Sequence, residues 1–170
     1  MSDLSVPIEY DNWATEKLAR FCAALSPEQR ALTTPGTMGT IEATLIHLLG
    51  AKERYATALR GTPPPDDAVN EKTTTDLAQV VARAKKLSEW FTGFASGELD
   101  LDRIIERRGA DGNTQRLPMG ILIAQFLHHG NEHRAQLGSI FGANGIEPPH
   151  YSAFNWGNEL GKITELGKIG

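Results

Sequence analysis

One helical stripe in the second half of the chain carries both apolar residues and histidines, and it constrains the fold most strongly. Between residues 119 and 140 the stripe positions recur every three or four residues, which indicates one face of an amphipathic helix. The stripe consists of Met119, Leu122, Phe126, His129, His133, Gln136 or Leu137, and Ile140. His129 and His133 are four residues apart, so their imidazoles lie one turn from each other and can share a metal ion. Imidazoles that face a core are costly to desolvate without a partner. The pattern therefore favours a ligand pair over two core histidines.

Three other segments have the same helical period, and together with this stripe they predict an all-α fold. The expected helices span residues 6–25, 40–60, 76–95 and 118–141. Four amphipathic helices joined by short or medium connections are typical of a four-helix bundle. A length of 170 residues suits one domain, so we expect a single domain over residues 1–170.

Two segments depart from the helical pattern. Residues 102–117 carry Asp111-Gly112 between two extended stretches, which predicts a short β-hairpin before the fourth helix. In the tail, residues 147–170, we expect Phe154 and Trp156 to pack onto the bundle, with a last helical turn near residues 158–160.

Charge and composition exclude several classes of function. The net charge is −4 and no basic run occurs, which argues against a nucleic-acid partner. No apolar run approaches membrane-spanning length and the N-terminus lacks a signal sequence, so we expect no membrane partner and a cytoplasmic location. Cys22 is the single cysteine, which excludes an internal disulfide. Its apolar helical face predicts a buried, inert thiol.

A third ligand must come from outside the stripe. His128 points about a quarter-turn away from it, and the sequence does not place His150, which lies in the tail. His47 lies on the second helix, in line with Ala51 and Arg54, where a ligand in a bundle core is expected. Three neutral imidazoles with an open fourth position are typical of a catalytic zinc site. Imidazole also suits nickel, iron and copper, so the pattern does not decide the metal.

Several motifs together resemble those of the DinB-like proteins, a superfamily of metal-binding four-helix bundles. The fourth helix reads H-x-x-x-H-R-A-Q over residues 129–136, and residues 44–49 of the second helix surround His47, with Glu53 six residues after it. The Tyr10–Ala14 segment, the Gly-Thr-Met-Gly-Thr-Ile lead into the second helix and the Asp-Gly hairpin are also similar. The resemblance covers roughly residues 6–150.

The resemblance implies a metal site and a set of possible activities. His47, His129 and His133 would be the ligands of a divalent ion, most often nickel or zinc, and the chain would form a homodimer as many members do. Relatives include S-transferases and a maleylpyruvate isomerase that use low-molecular-weight thiols, whereas many others have no known activity. This chain departs from the pattern at Ala135, where glycine is usual, and in residues 149–154, which lack the usual carboxylate.

Three functional hypotheses follow. The first is a metal-dependent enzyme, a thiol-dependent S-transferase or isomerase with a small-molecule substrate and a low-molecular-weight thiol as co-substrate; Arg54 either steers an anionic substrate or is a solvated charge. No catalytic residue is assigned. The second is a peptidase, because residues 129–133 match H-x-x-E-H with Glu132 as general base. The third is a metal-binding or stress-response bundle without catalysis. Glu53 is expected on the helix surface or beside a ligand rather than as a ligand.

Overall fold

The computed structural model describes residues 4–63, 65–66, 68–69, 74, 76–108 and 112–164. Within these residues the chain is mostly helical, with six helices and one two-stranded antiparallel sheet. The elements are α1 (Ser5–Ala24), α2 (Pro27–Arg30), α3 (Ile41–Arg60), α4 (Leu77–Ser96), β1 (Ile104–Arg108), β2 (Thr114–Pro118), α5 (Met119–Ala143) and α6 (Ala153–Glu159). The four predicted long helices are confirmed to within about two residues at each end, the usual uncertainty of a helix boundary. Residues 109–111, which include Asp111 of the predicted hairpin turn, and the tail beyond residue 164 lie outside the described residues.

Local signals in the sequence account for where the long helices begin and end. The Thr40 hydroxyl accepts a hydrogen bond from the Ala43 amide and starts α3. Gly61, with φ of 69°, ends α3 in the left-handed conformation that glycine adopts without strain. At α4, the Asp76 carboxylate accepts from the Ala78 amide. These caps set the register in which the helices present their apolar stripes.

The long helices pack through faces that the sequence predicts for three of the four. α1 contacts α4 and α5, and α3 contacts α5 and α4. The apolar period of the sequence predicts a stripe of Ile41, Leu45, Leu48, Lys52, Tyr55 and Leu59 on α3 and one of Leu77, Val80, Ala84, Leu87, Phe91 and Phe94 on α4. The stripes of α3 and α5 are buried except for His129 and Gln136, which are partly exposed, and on α4 only Phe94 is half-buried. On α1 the predicted face of Ala14, Leu18, Phe21 and Leu25 is wrong in part. The buried face is rotated and consists of Ser5, Ile8, Asp11, Asn12, Ala14, Thr15, Leu18, Ala19 and Cys22.

The hairpin lies beside α3 and immediately before α5. Ile105 pairs with Leu117 across the two strands, and Ile105 is buried. The Gly120 amide donates to the Leu101 carbonyl at 2.8 Å, which ties the start of α5 to the segment before the hairpin. Contacts of β1 with α3 and of β2 with α5 hold the hairpin between the two helices that carry the candidate ligands.

The tail packs onto α1, but not through the predicted pair of aromatic residues. Phe154 is 78% exposed, so its predicted packing is wrong. The Trp156 ring centroid lies 6.1 Å from that of Tyr10, and the Trp13 indole donates to Glu159 Oε2 at 2.9 Å. The tail helix begins earlier than predicted because the Ser152 hydroxyl accepts from the Asn155 amide. No helix in the described ranges combines the length and apolarity needed to cross a membrane.

Candidate metal centre

Three histidines from two helices meet on the side of the molecule where α3 faces α5. His129 Nε2 lies 3.2 Å from His47 Nε2 and 3.2 Å from His133 Nε2. One nitrogen from each of the three rings lies within 4.8 Å of the other two. The fold therefore brings together all three histidines that were predicted as ligands, although His47 and His129 are 82 residues apart.

The spacing of these nitrogens suits a common metal ion. Two imidazole ligands of a tetrahedral ion, each with a metal–nitrogen bond of about 2.0–2.1 Å, lie about 3.4 Å apart. The two nitrogen pairs at 3.2 Å are close to that value. The donor set, three imidazoles, suits zinc and nickel.

Gln136 orients one of the three rings. Its Oε1 lies 2.9 Å from His133 Nδ1 and also accepts a hydrogen bond from the Met38 amide at 3.3 Å. Because an amide oxygen only accepts, His133 Nδ1 carries the proton and Nε2 presents its lone pair to the cluster. The sequence placed Gln136 on the stripe but gave it no role, since its link to Met38 joins residues 98 apart.

His129 is held in the neutral form that binds metals. Burial, together with the neighbouring His133 and His47, lowers its pKa to about 4. The Tyr55 ring packs edge-on against it, with centroids 5.7 Å apart. At neutral pH this imidazole carries no charge, so a metal ion displaces no proton from its lone pair.

Sequence comparison agrees with the motifs and the geometry. The sequence profile of the DinB family matches residues 1–159 of the 170. The chain belongs to the DinB family. Among curated proteins, none matches it.

Other candidate residues of this DinB family chain lie away from the cluster. His128 and His150 are exposed, and His128 Nε2 lies 3.9 Å from a Glu132 carboxylate oxygen. Glu132 is thus on the outer face of α5, where a general base for a peptidase is not expected. Glu53 is not on the surface but buried, and it pairs with the Arg83 guanidinium.

A buried ionic cluster of Asp11, Lys52 and Arg134 joins α1, α3 and α5, and the sequence pattern did not predict it. Lys52 Nζ donates to Asp11 Oδ2 at 2.9 Å and to Asn12 Oδ1 at 2.8 Å. Arg134 pairs with the other Asp11 oxygen and donates to the Thr15 hydroxyl at 3.1 Å. Burial alone raises the pKa of Asp11, but the Lys52 ammonium and the Arg134 guanidinium outweigh it and lower the pKa. Asp11 and Arg134 belong to two of the motifs that resemble the DinB family, and the structure explains both as partners in one buried ion pair.

Gly130 makes room for this ionic cluster. A Cβ at this position would overlap Asp11 Oδ1 and lie 2.9 Å from Arg134 Nη1. Gly130, which directly follows the candidate ligand His129, therefore lacks a side chain for a packing reason. The closeness of the Asp11–Arg134 pair to the backbone of α5 also fixes α1 against the helix that carries His129 and His133.

A groove of about 1090 Å³ adjoins the histidine cluster and contains the predicted Arg54. Its walls come from α3 and from the hairpin. Small side chains of α3, Ala51 and Ala58, lie on the same helical face as His47 and leave room along the helix. His47 and His129 both line the groove, so a small molecule within it has access to the cluster.

Proposed function

We propose that His47, His129 and His133 bind one divalent ion, nickel or zinc, and that this DinB family protein is a metal-dependent enzyme for a small-molecule substrate. The observation that carries the proposal is the convergence of three imidazole nitrogens, one from each ring, within 4.8 Å. The groove beside them has the volume of a small-molecule site.

Residues of the chain have distinct tasks in this proposal. Gln136 keeps the His133 ring in one tautomer, and burial keeps His129 neutral. His47, His129 and His133 would hold the divalent ion, which would lower the pKa of a thiol or water bound to it. The groove would give a substrate access to the histidine cluster.

The reaction that we propose is thiol-dependent S-transfer or isomerisation, with a separate low-molecular-weight thiol as co-substrate. In S-transfer the S–H bond breaks, the sulfur electron pair forms a bond to an electrophilic carbon, and the leaving group departs with its own pair while the proton passes to solvent. Support comes from the resemblance to thiol-dependent relatives. Cys22 is unsuited to the sulfur role because it is fully buried and burial raises its pKa to about 12.

Metal content tests the first part of the proposal. We expect untagged protein to carry about one nickel or zinc ion per chain by elemental mass spectrometry, and His133→Ala to lose it. The matched control is His128→Ala, because this exposed histidine lies on the same helix away from the cluster. Equal metal content in wild type and His133→Ala would overturn the assignment of the ligands.

Conjugation of small thiols to model electrophiles tests the second part. The rate with the metal-loaded protein should exceed that with the metal-stripped protein and with His133→Ala. A bound metal without any metal-dependent conjugation or isomerisation would instead favour the non-catalytic metal-binding protein.

Two structural features also belong to the proposal. We infer that the four long helices form a four-helix bundle, which the contacts of α1 with α4 and of α3 with α5 support. We also propose a homodimer, supported by the exposed apolar side chains Val6 and Phe154 on the neighbouring helices α1 and α6. Sedimentation equilibrium of the wild type and of Phe154→Ser tests the dimer, which should weaken in the variant.

A further inference from the structure

The groove beside the histidines is strongly basic in an otherwise acidic protein. Five of the ten arginines of the chain line it: Arg54, Arg60, Arg103, Arg107 and Arg108. Among the described residues of its lining, Glu106 is the single acid, and Arg116 Nε lies 3.4 Å from a Glu106 carboxylate oxygen. The chain as a whole carries a net charge of −4, so this concentration of positive charge is local.

Hydrogen bonds to neighbouring groups fix several of these arginines in place. Arg107 Nε donates to Gln115 Oε1 at 2.8 Å, and Arg108 Nε donates to the Gly112 carbonyl at 3.3 Å. Arg103 Nη2 donates to the Leu59 carbonyl at 3.4 Å. Each of these bonds uses one of the five N–H donors of a guanidinium. A guanidinium held in this way is oriented before a ligand arrives, which reduces the entropic cost of binding.

The hairpin directs Arg107 towards α3. Side chains alternate between the two faces of a strand, so Arg107 shares the face of the buried Ile105. Ile105 faces the protein, and Arg107 is half-buried beside it, whereas Arg108 is exposed. Arg54 approaches the groove from the opposite wall, on the His47 face of α3. Arginines from two elements thus border the same space.

Apolar side chains in the same groove suit a ligand with a hydrocarbon body. Ile104 and Ile105 from β1 and Leu59 from α3 line it, and Ile104 is 53% exposed. A groove with both arginines and aliphatic side chains matches an amphipathic small molecule better than a free inorganic ion.

The geometry of α3 sets the length of such a ligand. With a rise of about 1.5 Å per residue, Arg54 lies about 10 Å along the helix from His47, and Arg60 lies about 20 Å from it. A molecule that reaches from the histidine cluster to these arginines is therefore about 10–20 Å long.

We propose that the groove recognises the anionic end, a carboxylate or a phosphate, of an elongated small molecule whose other end lies at the three histidines. Arginine binds either group through paired N–H donors. The assignment of the reacting end rests on the proposed function, but the recognition of the anionic end by the arginines does not. The net charge of the chain does not indicate this site, because acidic residues outnumber the basic ones in the chain as a whole.

Calorimetric titration with octanoate and octyl phosphate tests the proposal, with octanamide as the uncharged probe of similar length. Metal-stripped protein is used after the chelator has been removed, so that no probe binds through a metal ion. We expect at least one anionic probe to bind about tenfold more tightly than octanamide, and the tighter of the two identifies the preferred anionic group. Added salt should weaken that binding.

Charge variants locate the binding site of the probe. The double variant Arg54→Gln/Arg107→Gln should lose at least tenfold in affinity, whereas Arg20→Gln, an exposed arginine on α1, should leave affinity unchanged. Glu106→Gln removes the one acid of the described lining and should strengthen binding, a gain that damage to the fold would not produce. Equal affinities for anionic and uncharged probes, or equal losses in the double variant and Arg20→Gln, would overturn the proposal.

Metal content, measured on the same proteins before stripping, separates this inference from the proposed function. If the double variant contains zinc or nickel before stripping but has lost probe binding, the result supports both the proposed function and the anion site. If the protein contains no metal before stripping and its probe binding depends on Arg54 and Arg107, the proposed function is overturned and the anion site stays in place. Metal binding without arginine-dependent probe binding would overturn the anion site and leave the proposed function in place.

Discussion

At the residue scale, Gly130 shows how closely the ionic cluster packs against α5. We expect Gly130→Ala to destabilise the protein by about 1–3 kcal/mol, because the new methyl group overlaps Asp11 and Arg134. Alanine's better helix propensity, about 1 kcal/mol, offsets only part of that cost. Denaturant unfolding followed by circular dichroism measures the change.

The same substitution elsewhere on α5 should have the opposite sign. Nothing lies within 4 Å of a Cβ added at Gly142, so Gly142→Ala should raise the free energy of unfolding by up to about 1 kcal/mol. A Gly130→Ala protein as stable as Gly142→Ala would contradict the packing argument.

We expect a substitution at Gln136 to lower metal affinity more than it lowers the free energy of unfolding. Gln136→Ala removes the acceptor of the His133 Nδ1 proton, and we expect metal affinity to fall about 10- to 100-fold. Competition with a chromogenic chelator measures this affinity. Gln125→Ala, an exposed glutamine on the same helix, is the control and should retain wild-type affinity. If both variants bind the metal equally, the hydrogen bond does not orient the ligand.

At the scale of elements, the period of apolar residues was sufficient where the buried face is mainly apolar. It predicted the stripes of α3 and α5, and with them the pair His129 and His133. It failed on α1, where Asp11, Asn12 and Thr15 are buried. Polar residues can be buried when distant partners satisfy them, and those of Asp11 are 41 and 123 residues away. A periodic pattern contains no information about such partners.

The groove was beyond prediction for a related reason. The sequence indicated a hairpin, but not that the hairpin lies against α3. That placement depends on the burial of Ile105 and on the tie between Leu101 and Gly120. Only the contact of the hairpin with α3 brings together arginines that are far apart in the chain and makes one basic surface from them.

A metal ion held by the three histidines would join α3 to α5 and would therefore stabilise the folded chain. Zinc that binds only the folded chain should stabilise it by about 2.7 kcal/mol at a free concentration of 100 times Kd. We expect zinc to raise the melting temperature of the wild type but not of His47→Ala, which lacks the ligand from α3. His128→Ala should respond as the wild type does. An equal shift in all three proteins would indicate zinc binding elsewhere.

At the scale of the whole molecule, the ionic cluster around Asp11 makes the free energy of unfolding depend on pH in the acid range. The pKa of Asp11 is lower in the folded chain than in the unfolded chain, so its contribution to stability is fully present above the unfolded pKa of about 4. It is lost as the pH falls below that value and through the folded pKa. We expect Asp11→Asn to cost about 3–5 kcal/mol at pH 7, because Lys52 and Arg134 then lack their carboxylate.

The difference between wild type and Asp11→Asn should shrink as the pH falls from 4 towards 2. Urea unfolding at a series of pH values measures it. Asp102→Asn, at an exposed position, should show little difference at any pH. A difference between wild type and Asp11→Asn that is the same at pH 7 and pH 2.5 would mean that Asp11 does not titrate with a lowered pKa.

The distance of 82 residues between His47 and His129 also has a consequence for the order of events during synthesis. When α3 leaves the ribosome, His47 is the first of the three histidines to emerge, and the other two follow only after α4 and the hairpin. An ion captured early would meet one imidazole and be held weakly. A complete cluster thus exists only after α5 has been synthesised, and an ion held by all three imidazoles would show that α3 and α5 have already packed together.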